Sequence, residues 1–333
     1  MLDLTPQIEA ELRRQVARLD HPITAEFHQM LTYHMGWSGQ GAGLDATGKL
    51  IRPQLLCLSF LASGTSLPLE AALPAAAAVE LVHNFSLAHD DIEDNSPIRR
   101  GRPALWGKWG IPMAINAGDA LFVLANQAIL DLSKHHSPAV TLEAARILHS
   151  TCLNLTCGQF LDMSFEDRLD VPLTDYQEMI AGKTAALLQA CCSIGSLLGG
   201  ASQETRRAYA SFGYALGMAF QVQDDILGVW GNEGFTGKSA VSDLVEGKKS
   251  LPVLYGLKEG RGFADRWKKG PIKPEEVREL AQMLKHDGAF DYAQIESRRW
   301  TALATESLEE ASPKGDAAPA LSGLLQKLLY RER

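Results

Sequence analysis

Apolar residues recur along most of the chain at the three- and four-residue spacing of amphipathic α-helices. Thr5 followed by Pro6 is typical of a helix start, because a hydroxyl can cap the first turn and proline fits its opening positions. No convincing run alternates apolar and polar residues, and no Asn-Gly or Asp-Gly turn joins two such runs. The pattern therefore predicts an all-α protein, with helices at about residues 5–19, 24–36, 50–63, 69–93, 111–133, 138–166, 174–198, 203–227, 249–257, 275–285, 289–311 and 317–330.

Four connections are predicted to be loops, at residues 36–48, 95–103, 229–247 and 258–274. None of them is a proline- or serine-rich linker, so we predict a single domain over residues 1–333. The long helical runs between residues 69 and 227 are expected to form its central bundle. Each run is long enough to cross a sizeable domain at about 1.5 Å per residue.

Composition narrows the class of protein. The 333 residues are 46% hydrophobic and 22% charged, which excludes disorder as the main state, and the formal charge of -8 argues against non-specific nucleic-acid binding. Five cysteines without a Cys-x-x-Cys pair argue against disulfides and zinc and fit a reducing cytoplasm. Glu9 and Glu11 argue against a signal peptide, and the most apolar run, 71–82, is too short to span a bilayer. We expect a cytoplasmic protein without a membrane span.

Two apolar helices end in acidic clusters, HDDIED at 89–94 and QDDILG at 223–228. Asp90 and Asp94 are four residues apart and share a helix face, where their charges repel and require a cation. Oxygen ligands without His or Cys suit hard cations, chiefly Mg²⁺. One such cluster alone is more often a solvated helix end, here capped by Arg99 and Arg100. Two similar clusters, each followed by a basic loop, favour a metal site. The first cluster would form one side of this site, and Asp224 and Asp225 would form the other.

Basic residues occur near both acidic clusters, which predicts a pocket for polyphosphate with metal on one side and cations on the other. Lys183 lies among apolar residues, although a lone lysine in a helix usually reaches to the surface. The other basic residues are Lys49, Arg52, Arg99, Arg100, Arg102, Lys238 and Lys248. Weaker candidates, for which core packing is the alternative, are His83, Phe85, Gln159, Asp162, Phe220, Gln221 and Asp243; His89 is expected to be structural.

Together these segments resemble the trans-isoprenyl diphosphate synthases, the polyprenyl synthetase family, and most closely its geranylgeranyl diphosphate synthases. The resemblance rests on motifs in the family's order: GKLIRP at 48–53, ELVHNFSLAHDDIEDNSPIRRGRP at 80–103, GQFLD at 158–162, GKT at 182–184, FQVQDDILG at 220–228, TGK at 236–238 and SDLVEGKKSLP at 242–252. It implies a single-domain helical bundle of the isoprenoid synthase type, with a central active-site cavity, and a homodimer. One departure is Gly228, where the family's second motif usually has a third aspartate.

The resemblance also implies the site residues. Asp90 and Asp94 would hold two Mg²⁺ ions with support from Asp91, and Asp224 would hold a third ion near Asp225. Gln159, Asp162 and Asp243 would lie around the metals. The remaining roles fall into three groups: the allylic diphosphate with Arg99, Lys183, Thr184, Gln221, Lys238 and Lys248; isopentenyl diphosphate with Lys49, Arg52, His83 and Arg100; and product length with Phe85 and Ser86.

The implied activity is Mg²⁺-dependent head-to-tail condensation of isopentenyl diphosphate with dimethylallyl, geranyl or farnesyl diphosphate. In the resembling family a bulky residue five positions before the first aspartate motif limits the product, so Phe85 implies geranylgeranyl diphosphate. Farnesyl or C25 diphosphate synthesis is the nearest alternative. A class I terpene cyclase would not need Lys49, Arg52 and Arg100 for a second diphosphate. Head-to-head synthases use different acidic motifs. A non-catalytic partner subunit is the non-enzymatic alternative, which the complete basic set disfavours.

Overall fold

The computed structural model describes residues 2–231 and 242–329, and within them helices dominate, as the sequence pattern predicts. The α-helices, labelled in chain order, are α1 Thr5–Val16, α2 Ala25–His34, α3 Leu44–Thr47, α4 Ile51–Ala62, α5 Leu73–Glu93, α6 Leu105–Trp109, α7 Ile111–Leu130, α8 Pro138–Phe165, α9 Leu173–Ile180, α10 Ala186–Leu198, α11 Gln203–Trp230, α12 Ser242–Glu246, α13 Leu251–Glu259, α14 Gly262–Trp267, α15 Val277–His286, α16 Ala289–Ala311 and α17 Ala317–Leu329. The all-α prediction is confirmed.

Shorter elements fill several segments that the sequence pattern left as loops. The short helices α3, α12 and α14 lie in the predicted loops 36–48, 229–247 and 258–274, respectively. The predicted loop 95–103 contains two antiparallel strands of two residues each, β1 Ile98–Arg99 and β2 Arg102–Pro103. Single-turn 3₁₀ helices lie at or next to the ends of predicted helices, at Ala17–Leu19, Pro22–Thr24, Leu69–Ala71, Asp131–Lys134 and Pro274–Glu276. Elements this short have too few residues to show a periodic pattern.

The predicted helix 174–198 is interrupted by a π-helical turn at Ala181–Ala185, which separates α9 from α10. This π turn is only five residues long, too short for the sequence pattern to reveal it. Such turns occur frequently at functional sites, and this one contains Lys183 and Thr184.

The described chain forms two compact units, each assembled from separate segments. Unit 1 comprises residues 1–149, 191–206 and 313–321, and unit 2 comprises residues 150–190, 207–312 and 322–333. The single domain over residues 1–333 stays a prediction.

The core of unit 1 is built around α5. Its first half is rich in alanine, and Ala75 through Ala78 are completely buried, so α4 and α7 can pack closely against it. The apolar run at 71–82 is therefore the core of this unit. Near the end of α7, Asp131 accepts hydrogen bonds from Arg14 at 2.9 Å and Arg18 at 2.5 Å, which attaches α1 to the same core.

The core of unit 2 is centred on α11. Met218, Val222 and Ile226 follow one another at four-residue spacing and are buried among side chains that include Tyr176 and Leu254. The regular spacing orients the whole of α11. The same orientation determines which way the polar residues at the end of α11, from Gln221 to Asp225, point.

Two helical stretches in the described part of the chain are long and apolar enough to cross a membrane, Ile111–Lys134 and Leu173–Leu198. Within the protein, 44% and 67% of their apolar windows are buried, respectively. Core helices of soluble proteins have the same length and composition, so these stretches do not establish a membrane span.

Candidate active site

The predicted site residues are divided between the two units, and each unit contains one acidic helix end. In unit 1, α5 ends where the Asp94 amide donates a hydrogen bond to the Asp90 carbonyl at 2.8 Å. Asn95 then adopts a left-handed conformation, with φ of 51°, and reverses the chain. Asp90 is half-buried and Asp94 is exposed, and their spacing of four places both carboxylates on one face of the helix.

Asp91 differs from its two neighbours because it points into the protein. Its side chain is only 1% exposed. Oδ1 accepts a hydrogen bond from Arg99 Nε at 2.8 Å and forms an ion pair with Arg99 Nη2 at 2.6 Å. Burial raises the pKa of Asp91, and the Arg99 guanidinium opposes that rise. This pair orients Arg99 at the start of the β1–β2 hairpin and leaves Asp90 and Asp94 as the outward-facing carboxylates.

A group of guanidinium groups lies beside this helix end. Arg100 is in a left-handed conformation, with φ of 51°, and its Nη1 donates to the Ala46 carbonyl at 2.8 Å. Gly48 makes room for it, since a Cβ there would lie 2.8 Å from Arg100 Nη2. Burial lowers the pKa of Arg100, as do Arg99 and Arg52, whereas Glu80 raises it. Clustered guanidinium groups favour an anion, and Lys49, three residues before Arg52, is exposed.

Two histidines next to these arginines are held neutral. Burial lowers the pKa of His34 to about 4, and burial together with Arg52 and Arg100 lowers that of His83 well below its usual value. His34 Nε2 donates to the Asn84 carbonyl at 2.8 Å, which fixes its tautomer. His83 can therefore offer a neutral N–H or lone pair to a ligand. The cations of the site are the arginines and Lys49.

Glu80 is an acidic residue that the sequence analysis missed. It is 3% exposed on α5, accepts a hydrogen bond from Asn84 Nδ2 at 3.0 Å, and interacts electrostatically with Arg52 and Arg100. Burial raises its pKa and the two arginines lower it. A buried glutamate three residues before a site histidine is the signal that could have identified it, but one acid in a long alanine-rich helix is easily taken for a surface residue.

The residues predicted to control product length lie in the last turns of α5. Phe85 is 9% exposed, and its ring packs against Phe122 of α7 with centroids 5.0 Å apart and against His89 at 5.8 Å. Ser86 is equally buried, and its hydroxyl donates to the His83 carbonyl at 2.9 Å. Phe85 thus belongs to an aromatic cluster between α5 and α7, one turn before Asp90.

In unit 2, Lys183 lies in the π turn and its Nζ donates to Asp162 Oδ2 at 2.5 Å. Two glycines allow the π turn to approach α8 this closely. A Cβ on Gly158 would lie 2.2 Å from the Lys183 amide nitrogen, and one on Gly182 would lie 2.6 Å from the Asn154 carbonyl oxygen. Lys183 therefore contacts the GQFLD segment directly, which the sequence analysis did not predict. Gln159 of the same segment is buried.

A chain of hydrogen bonds links the π turn to the acidic end of α11. The Thr184 hydroxyl donates to Gln221 Oε1 at 2.8 Å, and Gln221 Nε2 donates to Asp225 Oδ1 at 3.0 Å. Asp225 Oδ2 accepts from the Tyr176 hydroxyl at 2.6 Å and from the Leu251 amide at 2.7 Å. Burial raises the pKa of Asp225 to about 7, against the effect of these donors. The sequence analysis missed Tyr176, because nothing in the local sequence LTDYQEM at 173–179 shows that its hydroxyl meets Asp225, 49 residues further along the chain.

Asp224 is half-buried at the same helix end, and Gly228 lies one turn further along that face. A Cβ on Gly228 would lie 2.1 Å from Asp243 Oδ2, so the Asp243 carboxylate occupies the space that a side chain at position 228 would need. Lys248 is exposed and pairs with Glu246 at 3.0 Å. Lys238 lies outside the described residues.

The donor chemistry fits a hard divalent cation that arrives with its substrate. Within residues 2–231 and 242–329, no three His, Cys, Asp or Glu side chains lie close enough to hold a metal ion by themselves. Mg²⁺ usually binds through one or two carboxylates together with substrate phosphates, and each acidic helix end offers such carboxylates. Arginines and Lys183 close to them supply the charge that a diphosphate requires.

Comparisons with known proteins agree with this chemistry. Residues 42–284 match the family model for polyprenyl synthetase. The chain is 38% identical over 335 residues to a (2E,6E)-farnesyl diphosphate synthase of Mycobacterium tuberculosis, with 98% of this chain and 90% of that protein covered. It is 41% identical over 274 residues to a geranylgeranyl diphosphate synthase of Methanosarcina mazei, with 82% and 81% covered.

A solved structure resembles the chain over its length. The polyprenyl synthetase from Streptomyces coelicolor A3(2) superposes with a TM-score of 0.85 at 35% sequence identity, covering 98% of this chain and 100% of that one. The similarity extends over both compact units.

Proposed function

The chain belongs to the polyprenyl synthetase family and is a trans-prenyltransferase, and from that premise we propose that it condenses isopentenyl diphosphate head-to-tail with allylic diphosphates to give mainly geranylgeranyl diphosphate. One observation supports this reaction above others. Each unit contains an aspartate-bearing helix end with cationic side chains nearby, Asp90 and Asp94 in unit 1 and Asp224 in unit 2. Two diphosphates and their metal ions are the ligands that such a distribution of charge suits.

The basic residues of unit 1 support binding of isopentenyl diphosphate. Arg52, Arg100 and Lys49 supply positive charge, and His83 supplies a neutral polar group. Holding like-charged guanidinium groups close together costs free energy, and a bound anion offsets that cost. Glu80 offsets part of that charge before substrate binds.

Mg²⁺, when bound, stabilises the charge that develops on the departing diphosphate as a Lewis acid. Asp90 and Asp94 would hold it in unit 1 and Asp224 in unit 2, with three ions expected in total. Arg99 and Lys183 would donate hydrogen bonds to the oxygens of the allylic diphosphate, and Lys248 and Lys238 would add to them. Preorganised donors of this kind supply the largest part of the rate enhancement in many enzymes.

The reaction balances without a protein nucleophile. The allylic C–O bond breaks and diphosphate leaves with the electron pair. The double bond of isopentenyl diphosphate then forms a C–C bond with the allylic carbon, and the proton that is lost passes to the diphosphate. The chain's own contribution is to bind, orient and exclude water, for which the apolar wall formed by Phe85 and Phe122 is suited.

The product length is proposed from Phe85. A bulky ring one turn before the aspartates limits the growing chain, and the small Ser86 leaves room beyond a farnesyl group. Farnesyl diphosphate is the second candidate product, because the 38%-identical relative from Mycobacterium tuberculosis is a farnesyl diphosphate synthase. Product chromatography after incubation of the purified protein with isopentenyl diphosphate, dimethylallyl diphosphate and Mg²⁺ separates the two.

The same incubation tests the reaction itself. A synthase consumes both substrates and releases pyrophosphate. A terpene cyclase consumes only a long allylic substrate, and a non-catalytic subunit consumes neither. Either of these last two results would refute the proposed activity.

Two substitutions test the role of the aromatic wall. Phe85→Ala is expected to lengthen the product by at least one five-carbon unit, and Ser86→Phe to shorten it towards farnesyl diphosphate. If Phe85 is only core packing, Phe85→Ala would instead cost about 3–5 kcal/mol of stability without changing the product. Chromatography and a melting curve on the same protein distinguish these results, and an unchanged product from a well-folded variant would remove the basis for the length assignment.

We also propose that the protein acts as a cytoplasmic homodimer. The support for the homodimer is an apolar stripe on α7, where Ile111, Ile115, Val123 and Leu130 are 47%, 44%, 53% and 58% exposed. Their spacings of four, eight and seven residues place them along one face of the helix. An exposed apolar stripe of this length is typical of a surface that a second protein covers. The cytoplasmic location is proposed from the cysteine usage alone.

A further inference from the structure

The Asp225 carboxylate is committed to hydrogen bonds inside the protein. It is 5% exposed, its Oδ2 accepts from Tyr176 and from the Leu251 amide, and its Oδ1 accepts from Gln221. Tyr176 is 1% exposed, so this contact lies away from solvent. Asp225 therefore connects three elements of unit 2, namely α9, α11 and the first residue of α13.

The bond to Leu251 matters because of the segment that leads into α13. Residues 243–250, called here the return segment, include Asp243 and Lys248 and directly precede Leu251. The Lys248 amide donates to the Asp243 carbonyl at 2.9 Å, which closes the segment into a compact turn. Fixing Leu251 against α11 therefore limits where Asp243 can lie.

The Asp243 side chain lies directly over Gly228. A Cβ at position 228 would be 2.1 Å from Asp243 Oδ2 and 2.5 Å from Asp243 Cγ, closer than van der Waals contact allows. Gly228 follows Asp224 by four residues, so the two positions share one face of α11. A side chain at position 228 of α11 would lie one turn from Asp224. The Asp243 carboxylate, which comes from the return segment, occupies that place instead.

We propose that Tyr176 is a positioning residue of the active site. By donating to Asp225 it fixes the start of α13, and through the return segment it holds the Asp243 carboxylate in the space that Gly228 leaves beside Asp224. This inference rests on the proposed function, because it takes Asp224 and Asp243 as residues that bind Mg²⁺ and diphosphate. In this proposal Asp225 and Tyr176 hold Asp243 in place and do not contact the substrate.

The first test measures the position of the return segment without any reaction. Tyr176→Phe keeps the ring and removes only the donor to Asp225. Hydrogen–deuterium exchange over residues 243–257 is expected to become about tenfold faster, as for the loss of one hydrogen bond to a charged group, while exchange in the rest of unit 2 stays unchanged. Tyr214→Phe is the matched control, since Tyr214 is on α11 but packs against Trp300, and it should not change exchange in this segment.

The second test measures the ligand site. Calorimetric affinity for inorganic pyrophosphate with Mg²⁺ is expected to fall about tenfold in Tyr176→Phe, and the Mg²⁺ concentration for half-maximal activity to rise by a similar factor. The KM for isopentenyl diphosphate is expected to stay the same, because its proposed ligands are in unit 1. A purely structural tyrosine would lower the melting temperature and the amount of active protein but would leave the Mg²⁺ dependence where it was.

Gly228→Ala tests the same position from the other side. The added methyl group should displace the Asp243 carboxylate and weaken Mg²⁺-pyrophosphate binding, whereas Gly323→Ala, at a helical glycine with open space around it, should have no effect. Because both substitutions act through Asp243, the double variant Tyr176→Phe/Gly228→Ala should be little worse than the more impaired single variant.

Three results would overturn the proposal: unchanged exchange over residues 243–257 in Tyr176→Phe, loss of protection throughout unit 2, or fully additive effects in the double variant. A wild-type protein that makes no prenyl product would refute the proposed function instead. The exchange measurement on the unliganded protein would then still decide whether Tyr176 fixes the return segment.

Discussion

At the scale of single residues, neighbouring aspartates at the two helix ends have different environments. Asp90, Asp94 and Asp224 are half-buried or exposed, whereas Asp91 and Asp225 are buried with hydrogen-bonding partners. The sequence analysis placed all five among the catalytic residues. The structure indicates that Asp91 orients Arg99 and that Asp225 joins Tyr176 to Leu251.

This difference predicts two kinds of variant. Asp90→Ala, Asp94→Ala and Asp224→Ala should lower kcat by several orders of magnitude with little change in melting temperature, because they remove proposed metal ligands at solvent-facing positions. Asp225→Ala should lower kcat less than Asp224→Ala does. It should also lower the free energy of unfolding by at least about 1–3 kcal/mol, because it leaves buried donors unpaired. Steady-state rates and urea unfolding curves measure both effects.

The exposed Asp316, which is distant in sequence from both acidic helix ends, provides the control, and Asp316→Ala should change neither quantity. Near-normal activity in Asp90→Ala or Asp94→Ala would contradict the assignment of the ligands.

The neutral His34 predicts a dependence of stability on pH. Burial and the nearby Arg100, Arg99 and Arg102 lower its pKa from 6.5 to about 4. Between these two values the folded protein binds fewer protons than the unfolded chain, so the free energy of unfolding falls as the pH falls. The full difference corresponds to about 3 kcal/mol, present above pH 6.5 and lost by about pH 4.

Urea unfolding at pH 7 and at pH 4.5 measures this loss. His34→Gln should reduce the pH dependence, whereas substitution of the exposed His286 by Gln should leave it as in the wild type. An identical pH profile in His34→Gln would show that other groups cause the loss of stability.

At the scale of elements, the π turn between α9 and α10 is the feature that brings Lys183 to Asp162. The close approach of this turn to α8 depends on Gly158 and Gly182, whose missing side chains leave the space that the backbone fills. Most helix bounds were predictable because apolar periodicity is strong in long helices. The π turn was not, because its extra residue is set by packing against α8.

Gly158→Ala tests this packing. Its Cβ would lie 2.2 Å from the Lys183 amide nitrogen, so α8 and the π turn must separate, and we expect a loss of about 1–3 kcal/mol in stability together with a strong loss of activity. Gly323→Ala is the matched control, because nothing lies within 4 Å of its added carbon. It should be neutral or stabilise by about 0.4–1 kcal/mol. Equal melting temperatures for the two variants would contradict the packing argument.

At the scale of the whole molecule, the exposed stripe on α7 predicts association of two copies. Light scattering coupled to size-exclusion chromatography should give twice the chain mass of 36.2 kDa. Val123→Glu places a charge in the middle of the stripe and should shift the protein to monomer, since burying an unpaired charge is costly.

Ile23→Glu provides the comparison, because Ile23 is 89% exposed and lies on a different element. It should leave the mass unchanged. A wild-type protein of 36.2 kDa in solution would contradict the proposed homodimer.

Several features of this protein were determined by the sequence alone. Helical periodicity established the all-α class and most helix bounds, and the ordered motifs from GKLIRP to SDLVEGKKSLP indicated the family and its diphosphate chemistry. These features are local, since a repeat of 3.6 residues and a spacing of four between carboxylates can be read without knowing what packs against them.

Other features were decided only by tertiary structure. The hydrogen-bond partners of Asp225, the neutral state of His34, the participation of Glu80 and Tyr176, and the contact of Asp243 with Gly228 all depend on residues distant in the chain. The physical reason is that burial, electrostatic environment and available volume are properties of a packed neighbourhood, and adjacent residues on a helix can face opposite neighbourhoods.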